Sequence, residues 1–266
     1  MLQIAIVVFR EVLEIALILG ILASASKEIK HRSNYILTGL ALGIIASIAL
    51  AFFTDQISAS LEGMGQEFFN GLILIASAFM IGWTTLWMQK HAKTLTSELK
   101  RLSISVKEGR KPLYALLIVV LLSVLREGTE IVLFTYSYYV SGTQINHIIV
   151  GLIFGILGGS MIGLALYLGI MKAFGRHFFT VTSWLLIFFA SGIAMAGIGF
   201  WQNAEIIPSL KNPAIDLSNI IAQQSFFGKF LNIFFGYIDQ PSLMQLIVYF
   251  SCLTTLIIGL KIARKV

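Results

Sequence analysis

Of the 266 residues, 57% are apolar and only 12% charged, and the mean hydropathy is +0.87. A soluble domain of this size usually carries about twice that charged fraction, so water is not the main solvent of this chain. The formal charge of +6 would fit a nucleic-acid partner, but the basic residues are segregated loop by loop, which is a topological signal and argues against one. The single cysteine, Cys252, lies in an apolar run, which leaves no intramolecular disulfide and no thiolate metal cluster.

A spanning helix takes about 20 apolar residues, so the length allows seven or eight spans with short connections. The expected fold is therefore an all-α polytopic membrane protein. Apolar runs place spans near 2–25, 35–55, 67–89, 112–139, 147–171, 179–202 and 242–262. The first run has no basic segment before it and contains Arg10, Glu11 and Glu14, so it is expected to stay as a helix rather than act as a cleaved signal. The fifth carries Gly151, Gly155, Gly159 and Gly163 at four-residue spacing, a bare groove that lets a neighbouring helix approach closely. The stretch 204–241 mixes Pro208, Pro213, Asp216 and Asp239 with Phe226, Phe227, Phe230, Phe234 and Phe235, and reads as an extracytoplasmic loop holding an interfacial helix.

Fifteen of the 19 Lys and Arg fall in the first, third and fifth loops and the C-terminal tail. Only Lys211 and Lys229 lie on the other side, while Arg10 and Arg126 lie inside spans. The expected orientation in a cytoplasmic membrane is N-terminus outside and C-terminus inside. Trp83, Trp87 and Trp184, with Tyr136, Tyr138, Tyr139 and Trp201, fit interfacial belts that need no further role.

The first span contains the run Arg10-Glu11-Val12-Leu13-Glu14 and the fourth Arg126-Glu127-Gly128-Thr129-Glu130, the same R-E-x-x-E pattern 116 residues apart. On a helix each copy projects two carboxylates and a guanidinium from nearly one face. Each ionised group at mid-bilayer costs at least about 2.5–3.5 kcal/mol, so the six should face one another or a wet cavity. Three spans separate the copies, which makes their helices antiparallel. This is the arithmetic of a three-plus-three inverted repeat, with residues 1–110 and 111–203 as the halves and 242–266 as an added helix and tail.

Four carboxylates make an oxygen cage suited to a hard cation, and the span-end or loop positions of His31, His91, His147 and His177 count against imidazole ligation. Asp55, Glu62 and Glu67 in the outer connection between the second and third spans, with Asn70, give a negative mouth for a cation. No permanently bound cofactor is expected. Manganese is an alternative cargo for the same ligands, and a non-transporting scaffold subunit an alternative role; with no GxSxG or HExxH motif, an intramembrane enzyme is disfavoured.

At these residues the chain resembles the oxidase-dependent iron permease family, which includes fungal high-affinity iron permeases and bacterial EfeU-type iron permeases. The resemblance rests on the doubled motif, the seven spans and the acidic start of the third span. It implies import of iron, oxidised from ferrous to ferric during transport, with Glu11, Glu14, Glu127 and Glu130 as ligands and Arg10 and Arg126 orienting them. It also implies a separate oxidase or peroxidase and an extracytoplasmic iron-binding partner. One departure stands out: the third span has Phe68, Phe69 and Asn70 after Glu67, where the family often has a further acid.

Overall fold

The computed structural model describes residues 1–60, 64–168 and 174–265. Among them run eight helices and no strand: α1 (Leu2–Ala25), α2 (Arg32–Ser60), α3 (Met64–Lys107), α4 (Tyr114–Val140), α5 (Ile145–Tyr167), α6 (Phe174–Asn203), α7 (Phe226–Phe235) and α8 (Leu243–Lys265). Segments of α2, α3, α5, α6 and α8 are long and apolar enough to cross a membrane on composition alone. The other two long helices, α1 and α4, are each interrupted by the three charged residues of a motif, around which the bundle packs. The chain is thus an all-α, multi-pass membrane protein.

Two pairings set the architecture. α1 packs along α5, where Ile4, Val8, Val12 and Ala16 meet Gly151, Gly155, Gly159 and Gly163 in order, so the two helices run parallel. α2 packs along α4 in the same way, through Gly39 and Gly43. The register is closely matched. Gly151 faces the Met1 carbonyl and Ile4 Cβ, and Gly155 faces the Ala5 carbonyl and Val8 Cβ; Gly39 faces the Leu117 carbonyl and Val120 Cβ, and Gly43 the Leu121 carbonyl and Val124 Cβ. Each α4 contact lies 116 residues after its α1 counterpart, the spacing of the two motifs. Between apolar helices in lipid, such close backbone approach supplies van der Waals contact where no hydrophobic drive exists.

Two apolar clusters bracket the centre of the bundle. Ile4, Val7 and Val8 of α1 join Leu74, Phe134, Leu186 and Phe189 in one. Ile18 and Leu22 of α1 join Ile36, Leu99, Val106, Leu116, Val120 and Val124 in the other. On both α1 and α4 the motif falls in the gap between them.

Two segments differ from the sequence expectation. The third helix does not stop near residue 89 but continues to Lys107. Leu99, Leu102 and Val106 form an amphipathic stripe that caps the second cluster, and Lys107 pairs with Glu28 in the α1–α2 turn. The stretch after α6 does contain the expected helix, α7, capped by Ser225 and ended by left-handed Gly236. That end does not stay at the rim. A Cβ at Gly192 would lie 2.9 Å from the Gly236 Cα, and Gly192 is eleven residues, about 16 Å, below the end of α6. Irregular backbone at such depth is tolerated where protein buries it or a cavity borders it.

The pairing of α1 with α5 is open to direct test. A Cβ at Gly155 would sit 2.6 Å from Val8 Cβ and 2.9 Å from the Ala5 carbonyl oxygen, and overpacking of this kind costs about 1–3 kcal/mol. Gly155→Leu is expected to lower the thermal midpoint in detergent, whereas Ile153→Leu, on the exposed side of the same helix, leaves it unchanged. Equal midpoints for both variants contradict the pairing.

Candidate metal centre

α1 and α4 cross at the motifs, and the apolar clusters on either side exclude water from the level where they meet. Arg10, Glu11 and Glu14 on α1 and Glu127 and Glu130 on α4 are all 2–3% exposed. One carboxylate oxygen from each of Glu11, Glu14 and Glu127 lies within 4.8 Å of the others. The oxygens around a six-coordinate ion at about 2.1 Å stand about 3 Å apart when adjacent and about 4.2 Å when opposite, so closing on a cation takes movements of about 1 Å or less per oxygen. The sequence-derived ligands Glu11, Glu14 and Glu127 therefore converge, and Glu130 joins them as a neighbour on the next turn of α4.

The two arginines are not equivalent. Arg10 donates from Nη1 to Glu11 Oε1 at 2.8 Å and reaches Glu14 Oε1 from Nη2 at 2.8 Å. One guanidinium thus faces two carboxylates at once, hydrogen-bonded to Glu11 and ion-paired with Glu14. The Arg126 Nε stands 3.8 Å from Glu127 Oε1 and 3.7 Å from Glu130 Oε1, beyond hydrogen-bond reach. Its guanidinium lies instead over the Trp87 ring, 4.5 Å from the centroid, and its side chain is 36% exposed against 3% for Arg10. Trp87 in turn stacks on His91, with ring centroids 5.0 Å apart. Trp87 thus does more than anchor the protein in an interface, the role that its position in the sequence indicated.

Part of the oxygen set is held by hydrogen bonds and part lacks them. Thr84 of α3 donates to Glu130 Oε2 at 2.9 Å, which brings a third helix to the centre. Glu11 Oε2, Glu14 Oε1 and Glu130 Oε1 are buried without a hydrogen-bond donor, the approach of Arg10 Nη2 to Glu14 being an ion pair without hydrogen-bond geometry. A buried acceptor left in this state costs about 1–3 kcal/mol, which a cation between α1 and α4 would offset. Hard carboxylate and hydroxyl oxygens are the donor set for such an ion.

Of the residues expected to form an acidic mouth, the three that are described stand apart from the centre. Asp55 is exposed near the end of α2, Glu67 is half-buried in the first turn of α3, and Asn70 is buried one turn further along. Glu67 and Asn70 are 17 and 14 residues from Thr84 on the same helix, about 25 and 21 Å along it. Glu62 falls outside the described residues. Asp55, Glu67 and Asn70 do not belong to the buried group. Thr84 and Trp87, which do touch it, read in the sequence as an ordinary polar residue and an ordinary interfacial aromatic of one apolar span.

Comparison with known proteins gives a consistent result. The family model described as "Iron permease FTR1 family" matches residues 1–263. The ferrous iron permease EfeU of Yersinia pestis is 28% identical over 248 residues, covering 92% of this chain and 88% of that protein. The protein of the same name from Escherichia coli O157:H7 is 26% identical over 264 residues, covering 98% and 95%. No solved structure matches. With the doubled motif at the crossing of its two central helices and the family match spanning nearly every residue, the chain belongs to the iron permease FTR1 family.

Proposed function

We propose that the chain imports iron across the cytoplasmic membrane by holding the cation between α1 and α4, on Glu11, Glu14, Glu127 and Glu130. The observation that carries this reading is the convergence of Glu11 and Glu14 with Glu127, from two helices far apart in sequence, in a water-excluded gap. The names of the relatives, ferrous iron permeases, fit the oxygen ligands.

The mechanism follows from an inverted repeat of α1–α3 and α4–α6. The matched glycine registers support it, because exchanging the halves turns the α1–α5 contact into the α4–α2 contact. In such a repeat one site sits near the midplane and the two sides open in turn. With the Met1 end outside, as the basic loops at the opposite end indicate, Arg10 lies on the outer side of the carboxylates and Arg126 on the inner side. The tight fork of Arg10 under the first apolar cluster seals the outer side. The long Arg126 contacts and its seat on Trp87 leave Glu127 and Glu130 less neutralised than Glu11 and Glu14, so the cation is drawn toward the α4 side of the centre, whose arginine is on the side that faces the cytoplasm.

We infer that ferrous iron is the form presented and that it is oxidised to ferric iron during passage, one electron per ion going to the dioxygen or peroxide used by a separate oxidase or peroxidase, the harder ferric ion then suiting the carboxylates better. A separate oxidase or peroxidase and an extracytoplasmic iron-binding protein are the partners this implies.

Uptake of labelled iron by cells lacking other iron importers tests the reading, with Glu14→Gln and Glu130→Gln at matched membrane expression and excess manganese as competitor. Each substitution removes one ligand charge and is expected to lower uptake at least tenfold, with manganese competing weakly. Near-wild-type uptake in both variants makes the motifs structural, and abolition by manganese changes the cargo.

The seat of Arg126 gives a second expectation. A cation–π contact is worth about 0.5–2 kcal/mol, so Trp87→Leu should reduce the uptake rate by about 2- to 30-fold while Trp87→Phe retains most of it. Trp83→Leu, at a 60% exposed neighbour, should have no effect. Wild-type uptake in Trp87→Leu would show that the stack has no part in transport.

A further inference from the structure

The Met1 end of the bundle contains a cavity of about 520 Å³ between α1, α3, α4, α6, α8 and the segment that carries α7. Its polar wall includes the amides of Gln3, Asn203, Asn232 and Gln245 and the hydroxyls of Ser137 and Ser141. Among the described residues that line it, none is acidic or basic. The irregular backbone at Gly236 and Ile238, which dips beside α6, borders it directly.

That segment is tied down rather than draped over the opening. The Gln3 side-chain amide donates to the Asn232 carbonyl at 3.1 Å, Asn232 Nδ2 to the Tyr237 carbonyl at 2.8 Å, and the Tyr249 hydroxyl to the Phe235 carbonyl at 2.6 Å. The cavity is therefore built into the fold.

Its position relates it to the carboxylates. Gln3 lies seven residues before Arg10 on α1, and Ser137 seven residues after Glu130 on α4. Each interval is about 10 Å. α3 contributes Leu74 to the cavity wall and Thr84 to the centre. All three helices that touch the carboxylates thus continue into this wall. α2, which carries Asp55, contributes none of the described residues that line it. Between cavity and centre stands the first apolar cluster, where Val7, Leu74, Phe134 and Phe189 are at most 2% exposed.

We propose that this neutral cavity is the outer binding site for hydrated iron, and that the cation reaches the carboxylates through it and not past Asp55 and Glu67. The proposal rests on the iron-import reading above. Six waters at about 30 Å³ each occupy about 180 Å³, so a hexahydrated cation fits with room to turn. Amides and hydroxyls bond to the hydration waters from a fixed neutral wall. They hold the ion without the deep well that carboxylates make, and transport needs binding strong enough to admit the ion and weak enough to pass it on. Dehydration is then deferred to the buried glutamates, where formal charge compensates the lost water.

Cys252 is the chain's single cysteine, so Cys252→Ser gives a background for site-directed labelling. Ser141→Cys and Asn203→Cys place a thiol in the cavity, and Asp55→Cys places one on α2. Cells expressing each are treated from outside with a membrane-impermeant, trimethylammonium-bearing methanethiosulfonate, and initial ferrous-iron uptake is compared at equal modification measured by mass spectrometry. Labelling at Ser141→Cys or Asn203→Cys is expected to lower uptake at least fivefold, and excess ferrous iron to slow that labelling, while labelled Asp55→Cys transports normally. Full uptake with both cavity thiols labelled, failure of both to react from outside, or inhibition at Asp55→Cys alone overturns the proposal. Unlabelled Cys252→Ser reports on the import reading itself, and uptake no higher than in cells without the chain removes that reading and this one together.

Discussion

A guanidinium 2% exposed in the middle of an apolar bundle is the constraint from which the rest of the structure follows. Arg10 cannot face lipid, and it is tolerable inside only because Glu11 and Glu14 occupy both arms of its fork. Those carboxylates then need an environment of their own, which Glu127, Glu130 and Thr84 help to make. Two helices bearing such groups must be interior helices, and each needs an outer neighbour close enough to exclude lipid. The glycines of α5 and α2 provide that closeness, with backbone carbonyls of α1 and α4 almost against them.

The same constraint separates two apolar clusters with a charged layer. In a carrier reading the parts of the two clusters on α1 and α4 are seals, one on each side of the carboxylates. Opening one while the other holds exposes the cation to one side at a time. The unequal arginines make the two halves differ in the present conformation: Arg10 is held between Glu11 and Glu14, and Arg126 is displaced onto an aromatic face. A pseudo-symmetric fold is bistable when its halves can exchange these two roles.

Much of this was legible in the sequence because buried charge in an apolar run is conspicuous. The motifs named α1 and α4 as the central helices, and the glycines of α5 announced a close neighbour without saying which. Less visible were features that depend on a partner brought in from elsewhere. Residues 90–107 looked like a basic loop because Lys90, Lys100, Arg101 and Lys107 masked the stripe of Leu99, Leu102 and Val106. Trp87 looked like a belt residue until Arg126 was placed over it. The segment after α6 looked like surface because its prolines and polar residues are loop-like, yet Gly236 lets it pack against Gly192. Acids drew attention to the α2–α3 corner, whereas the cavity above the centre is neutral and so gave no charge signal.

The central claim is that one cation is shared by α1 and α4, and a double-mutant cycle on metal affinity tests it most directly. Anaerobic ferrous-iron titration of the detergent-solubilised chain would compare wild type, Glu14→Gln, Glu130→Gln and the double variant. Ligands of one ion act together, so the double variant should bind little more weakly than the worse single one, a coupling of about 1 kcal/mol or more. Additive losses within about 0.5 kcal/mol, or affinity that neither substitution changes, would contradict a shared site.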